Sequence, residues 1–404
     1  MTITRKRRLA FYMFALIGFT LTFSMVLFPE NAFQAAVRGL DVWWNVVFPA
    51  LLPFFIAAEI LMGLGVVHFM GVMLEPLMRP LFRVPGSGAF VMSVGLASGF
   101  PIGAILTAKL RSQNMISKEE GERLMSFTNT ADPLFMFGAV AVGMLAYPQI
   151  GYTIAVAHYL SSISVGLLMR FHKPSAAPSS APGSKRQFIL IRAAKSLVEA
   201  RTKEQRPFGK LMGDAVRNSV SSLLLVGGFI ISFSVVIEIL NASGIVAWIA
   251  EIFAVSSDYL LLITNGILEI TLGCQVASQS SLAMTHKIMA VSGVIAWSGL
   301  SVHGQVASII SGTDLDIKPY LVARAIHATL AAVYTLLLFQ FDLVPALDAS
   351  VPIYATLELG QRYLLSASVL GRVMTGWVLL AVGVGLFQAI SRLRLSIFKV
   401  KSGL

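Results

Sequence analysis

The stretch Gly95-Leu96-Ala97-Ser98-Gly99-Phe100-Pro101-Ile102-Gly103 cuts an apolar run, residues 84–110, near its middle. Each arm is too short to cross a hydrocarbon core ~30 Å thick, which takes ~20 helical residues. The glycines permit a tight reversal, and Pro101 can open the returning arm without losing a helical hydrogen bond. The stretch therefore reads as the tip of a re-entrant helical hairpin, with Lys109 and Arg111 returning it to a basic side. Amides freed where a returning helix starts suit an anion. That makes Ser98, Gly99, Phe100 and Gly103 candidate substrate contacts. The plainer alternative is a tight helix crossing built from small residues.

Composition supplies the membrane that such a hairpin needs. The 404 residues are 56% hydrophobic and 13% charged, with a mean hydropathy of +0.77. Soluble globular chains are usually ~45–50% apolar and ~25% charged, so a soluble enzyme or binding module is excluded. The single Cys274 and the lack of global low complexity exclude disulfide-stapled, collagen-like and disordered classes. No Walker loop, H-E-x-x-H pattern or nucleophile elbow occurs. Neither ATP, nor a metal or other cofactor, nor an enzymatic reaction is expected.

Working outward, Arg5-Lys6-Arg7-Arg8 precedes an apolar run at 9–28, read as a retained transmembrane helix within 1–30. Residues 42–67 read as the next span, with Glu59 inside it. After the hairpin at 84–110, Ser117-Lys118-Glu119-Glu120 has the capping-box pattern of a helix start. That helix meets Asn129-Thr130-Ala131-Asp132-Pro133, where proline and small polar residues break it. Residues 117–146 thus form one discontinuous span, and 149–169 an ordinary one. Residues 170–210 are basic and, near 174–184, rich in Pro and Ser, which reads as a cytoplasmic linker.

The second half, 211–341, repeats the plan. It holds a span at 215–240, a hairpin at 258–285 interrupted near Glu269, Thr271 and Gly273, and a broken helix at 288–310. The break in that helix is placed at Ser301-Val302-His303-Gly304-Gln305, and a span follows at 320–341. A last helix and a basic tail fill 342–404. The expectation is an all-α polytopic membrane protein with about eight transmembrane helices and two re-entrant hairpins.

A shift of 179 residues superposes Ala36-Val37-Arg38 on Ala215-Val216-Arg217, and Glu59-Ile60-Leu61 on Glu238-Ile239-Leu240. Residues 36–169 and 211–341 then form two repeats separated by three crossings. An odd number inverts the second copy, an arrangement that places binding at the midplane in many secondary transporters. With both termini cytoplasmic, the outside segments hold only Arg38, Lys287, Arg362 and Arg372 of the 31 Lys and Arg. The net charge of +11 is therefore an orientation signal and not a nucleic-acid footprint.

Polar residues at the four interruptions are the candidate substrate site. Asn129, Thr130 and Asp132 lie where the first broken span unwinds, and unwound backbone at membrane depth must be packed in protein or line a cavity. Glu269, Thr271 and Gly273 occupy the second hairpin; Ser301, His303 and Gln305 occupy the second break. His303 could titrate near neutral pH or simply pack. Glu59 and Glu238 read either as a proton or cation relay or as protonated glutamates bonded to a neighbouring helix.

These same residues resemble the sporulation integral membrane protein YlbJ family, whose halves belong to the nucleoside-recognition, or Gate, group. The resemblance rests on the 95–103 stretch, on Ile116-Ser117-Lys118-Glu119-Glu120, on Arg123-Leu124-Met125-Ser126-Phe127-Thr128-Asn129 and on Pro133-Leu134-Phe135. In the second half it rests on Leu268-Glu269-Ile270-Thr271-Leu272-Gly273 and Gly299-Leu300-Ser301-Val302-His303-Gly304-Gln305. It runs from about residue 41 to 341. It implies a core similar to concentrative nucleoside transporters, and a multi-pass protein of the mother-cell-derived outer forespore membrane. It also implies that a small organic anion, dipicolinate, moves out of the mother cell toward the forespore. A cation-coupled nucleoside carrier and a scaffold for sporulation membrane partners are the competing readings, and homo-oligomerisation is left open.

Overall fold

The computed structural model describes residues 5–173, 189–254 and 256–341. The Pro/Ser-rich part of the expected linker and the expected C-terminal helix and tail at 342–404 lie outside these residues. Within them the chain is all helical, and four helices are long and apolar enough to cross a membrane. The number rises to six if each of two sharply bent helix pairs counts as one span. The discontinuous span at 117–146 and the segment after residue 341 are the remaining two of the eight expected.

The first bent pair is α1 (Arg5–Leu27) followed by α2 (Pro29–Val42). Pro29 starts a new helix because its fixed φ and missing N–H suit a first turn, and the axis swings by 104°. A five-residue π turn, Trp43–Val47, joins α2 to α3 (Phe48–Gly63). The expected span at 42–67 ends at Gly63, short of its expected limit. Gly65 adopts a left-handed φ of 84°, and α4 (Val66–Phe82) leaves at 82° to α3. One glycine in the left-handed region ends a helix at little steric cost, and the hydropathy of the run hides it.

The first hairpin forms as α5 (Ser87–Ser98) and α6 (Ile102–Ser112), reversing at Gly99-Phe100-Pro101. Next, α7 (Lys118–Thr128) begins with the capping box: Glu120 N–H donates to Ser117 Oγ at 3.2 Å, and Ser117 N–H donates to Glu120 Oε2 at 2.8 Å. It stops at Asn129, and a π-helical segment, Leu134–Met144, resumes after Pro133. The span α8 (Ile150–Met169) closes the first half. The expected linker contains a helix, α9 (Ile189–Glu204), packed against α4; its Ala, Leu, Arg, Lys and Glu content favours helix over coil.

The second half runs through α10 (Phe208–Ala242), α11 (Ile245–Ile252), the hairpin pair α12 (Ser257–Leu268) and α13 (Ile270–Gln279), and α14 (Met284–Trp297). It ends with α15 (Gly299–Ile310) and α16 (Lys318–Gln340). Helix α10 starts 179 residues after Pro29 (208 against 29) and ends 179 after Gly63 (242 against 63). Gly244 is left-handed like Gly65 and at the same displacement, and α5 and α12 have the same length, 12 residues. Helix boundaries therefore share the register that joins Glu59 to Glu238.

Two interruptions differ from their expected places. The second hairpin breaks at Glu269 alone, whose backbone is extended, leaving Thr271 and Gly273 inside α13. The second broken helix is interrupted at Ser298-Gly299, with left-handed φ of 71° and 74°, and not at 301–305. Gly304 is helical, as an isolated glycine can be. Gly299 is required where it stands, because a Cβ there would lie 2.8 Å from Glu269 Cα.

At the cytoplasmic end predicted by the charges, Arg111 at the close of α6 donates to Asp314 Oδ1 and Oδ2 at 2.8 and 3.0 Å. The Arg111 guanidinium holds the Asp314 carboxyl below its ordinary range. A lowered folded-state pKa contributes stability above the ordinary carboxylate value, and that contribution disappears as pH falls through the lowered one. The pair is exposed, so Asp314→Asn should lower stability by only ~0.2–1 kcal/mol at neutral pH. The gap from wild type should vanish in acid; a pH series of melting temperatures in which it persists there would contradict this. Gly95→Ala should act more strongly, because its Cβ would run into the Thr128 carbonyl. About 1–3 kcal/mol of destabilisation is expected, against no comparable loss for Gly228→Ala, where the space is open.

Candidate functional site

Both hairpins close onto a helix interruption, and small residues make this possible. Side chains added at Gly95 or Gly103 would strike the Thr128 carbonyl, so the arms of the first hairpin close on the end of α7. At the tip, a Cβ on Gly99 would lie 2.7 Å from Asp132 Oδ2. In the second hairpin, a Cβ on Gly273 would lie 2.5 Å from Gly266 Cα, and Gly299 packs on the backbone of Glu269. Each hairpin tip therefore meets an unwound segment in direct backbone contact.

Between them lies a cavity of about 420 Å³ lined by both hairpins, by the first break and by the helix that follows the second. Phe100 comes from the first tip, Ala131 and Asp132 from the first break, Glu269 and Thr271 from the second hairpin, and Ser301 and Gln305 from the first turns of α15. The facing wall is apolar: Val47 and Leu51 from the π turn and α3, Val226 and Ile230 from α10. Asp132 Oδ1 accepts from Phe135 N–H at 2.9 Å, and Glu269 Oε2 accepts from Leu272 N–H at 2.8 Å. Each carboxylate thus caps the helix that follows it. Ser301 Oγ is buried without a hydrogen-bond partner. Among the described residues the lining carries two carboxylates and no Lys, Arg or His.

Six of the residues singled out from sequence line this cavity: Phe100, Asp132, Glu269, Thr271, Ser301 and Gln305. Ser98, Gly99, Gly103, Asn129, Thr130, Gly273 and His303 do not; they hold the wall from behind. Thr130 Oγ1 donates to Gly95 O at 3.2 Å, and Asn129 Nδ2 donates to Tyr320 OH at 2.9 Å. His303 Nε2 lies 2.9 Å from Trp297 O, bracing the second break. Glu59 and Glu238 stand outside the cavity lining. Glu59 pairs with Lys109 on α6, while Glu238 pairs with Arg38 Nη2 at 2.7 Å and accepts from Asn31 Nδ2 at 3.0 Å.

Other residues that support the site carry weak sequence signals. His158 Nε2 accepts the Ala131 N–H at 3.1 Å, and Tyr159 OH lies 3.1 Å from Leu96 O and 3.3 Å from Ala131 O. Arg324 is fully buried in α16 and donates to backbone carbonyls of both broken helices. A lone arginine inside an apolar span is a detectable signal, but its partners are backbone atoms that no motif marks.

The Gate family model, described as nucleoside recognition, matches residues 44–164. Over 328 residues the chain is 44% identical to the sporulation integral membrane protein YlbJ of Bacillus subtilis (strain 168), covering 79% of this chain and 80% of that protein. Over 149 residues it is 28% identical to an uncharacterized protein of Alkalihalophilus pseudofirmus, covering 36% of this chain and 31% of the other. A solved structure of a doubly substituted CNTnw in an outward-facing state matches with a TM-score of 0.39 and 14% identity, over 84% of this chain and 88% of that one.

The cap at Glu269 can be tested without a ligand. Glu269→Ala leaves the Leu272 N–H without its acceptor and should cost ~0.5–2 kcal/mol, whereas Glu269→Gln keeps an acceptor and should recover most of the loss. Equal melting temperatures for wild type and the alanine variant would show that the cap is idle.

Proposed function

The chain belongs to the family of the sporulation integral membrane protein YlbJ, and from that premise we propose that it is a secondary transporter or facilitator of a small organic anion. The convergence of two hairpins and two broken helices on one cavity supports this reading. Interrupted helices place backbone amides and short polar side chains at membrane depth, where continuous helices would present only apolar ones. The substrate proposed is dipicolinate, moved out of the mother cell toward the forespore across the outer forespore membrane. Asp132 and Glu269 would repel a bare dianion, so it enters protonated or paired with a cation.

In this reading the two hairpins and two broken helices move as a core against the frame formed by α3 and α10. The inverted arrangement of the repeats gives the core two equivalent resting positions, one facing each side. The apolar wall of Val47, Leu51, Val226 and Ile230 is the surface along which the core slides. The ion pair from Glu59 on α3 to Lys109 on α6 crosses this frame–core boundary. It therefore fixes one of the two positions.

A second reading, a cation-coupled nucleoside carrier, is favoured by one observation. Among the described residues the lining presents acceptors and an amide without a basic side chain, which suits a neutral ligand rich in hydrogen-bond donors.

Purified protein in liposomes decides between them. Dipicolinate uptake is expected, and saturable uridine uptake driven by a cation gradient would transfer the proposal to the second reading. Uptake of neither, nor of a related dicarboxylate, would count against transport itself. For the moving core, Glu59→Cys with Lys109→Cys in a Cys274→Ser background should lose uptake when bridged by a short thiol cross-linker. Undiminished uptake in the bridged protein would refute motion across that boundary.

A further inference from the structure

Two broken helices end inside the fold, at Thr128 and at Trp297. The last carbonyls of any helix lack intrahelical donors, and the macrodipole gives that end about half a negative charge. Neither end reaches bulk water: Ser126, Asn129, Ala296 and Ser298 are all buried. Some group must satisfy both sets of carbonyls.

One side chain serves both. Arg324, with no exposed surface, donates from Nη2 to Ser126 O at 2.6 Å and from Nη1 to Asn129 O at 2.8 Å. The same Nη1 lies 3.4 Å from Ala296 O, at the end of the other broken helix. Among the described residues no carboxylate forms an ion pair with it; two helix ends of about half a charge each supply the compensation. Tyr320, one turn earlier on α16, lies with its ring 5.4 Å from the guanidinium and its hydroxyl 2.9 Å from Asn129 Nδ2. The His303 ring meets that tyrosine edge-on at 5.5 Å.

We propose that Arg324 is the positioning residue of the cavity, setting the two breaks at a fixed separation so that they order and loosen as one unit. Three residues past Asn129 stands Asp132, and three past Ser298 stands Ser301; both line the cavity. The spacing of these two groups across the cavity is thus set from behind by a residue that does not line it. The geometry is specific to arginine. A planar fork reaches carbonyls on two helices at once, whereas a lysine ammonium is a point charge that can follow only one of them. The consequence for ligand affinity rests on the transport reading above; the coupling of the two breaks does not.

Hydrogen exchange on the purified full-length protein tests the coupling without any ligand. In wild type, the amides of 129–135 and 298–303 should open together, with one shared dependence on denaturant. In Arg324→Lys both segments should exchange about tenfold faster or more, the loss expected for hydrogen bonds to a charged group, while α8 and α10 stay unchanged. Breaks that open independently in wild type, or a lysine variant that loosens one break or neither, would overturn the proposal. The wild-type measurement stands if the variant does not accumulate. Where wild type takes up dipicolinate or uridine, Arg324→Lys should raise the apparent KM about tenfold with a smaller change in maximal rate. Absence of uptake by wild type would count against the transport reading alone and leave the exchange result decisive.

Discussion

Backbone that leaves the helix inside a membrane must find hydrogen-bond partners within the protein, because hydrocarbon offers none. Four such places lie among the described residues, and much of the packing there follows from satisfying them. Asp132 and Glu269 cap the helices that restart, His158 takes the Ala131 amide, and Arg324 takes carbonyls from both helices that stop. Glycines at 95, 99, 103, 273 and 299 bring the partners close enough to pack. The polar groups left at the centre after these requirements are met are the ones that face the cavity.

The candidate site divides by origin. Two interruptions supply its acids, the helices that restart after a break supply its hydroxyls and amide, and α3, α10 and the π turn supply an apolar wall. Polar groups and apolar wall thus come from different parts of the chain. Glu59 and Glu238, which the sequence pairs by register, also divide in this way. One is bonded across the boundary to the first hairpin, while the other holds α2 to α10 within the frame.

Much of this is legible in the sequence. The first hairpin, the capping box of α7 and the break at 129–133 are readable because glycine, proline and cap residues act locally. The cavity carboxylates are visible because a charge inside an apolar run is costly and therefore conspicuous. Bends at Pro29 and Gly65 are hidden, since a single punctuating residue barely alters the hydropathy of a window. The second break stands at Ser298-Gly299 and not near Gly304, because Gly299 packs on Glu269, a residue 30 positions earlier. Arg324 is hidden for a related reason: its meaning lies in carbonyls on two distant helices, and carbonyls leave no trace in a sequence.

Helix α10 carries one further consequence. Its 35 residues at a rise of ~1.5 Å each extend over ~50 Å, against a hydrocarbon core of ~30 Å. A helix that outruns its solvent must lean or carry its ends into water. Lys210, Asp214 and Arg217 stand in the first turns of α10, so the surplus length belongs to the charged end. One uninterrupted rod thus carries a polar stem outside the hydrocarbon and, through Val226 and Ile230, a wall of the cavity within it.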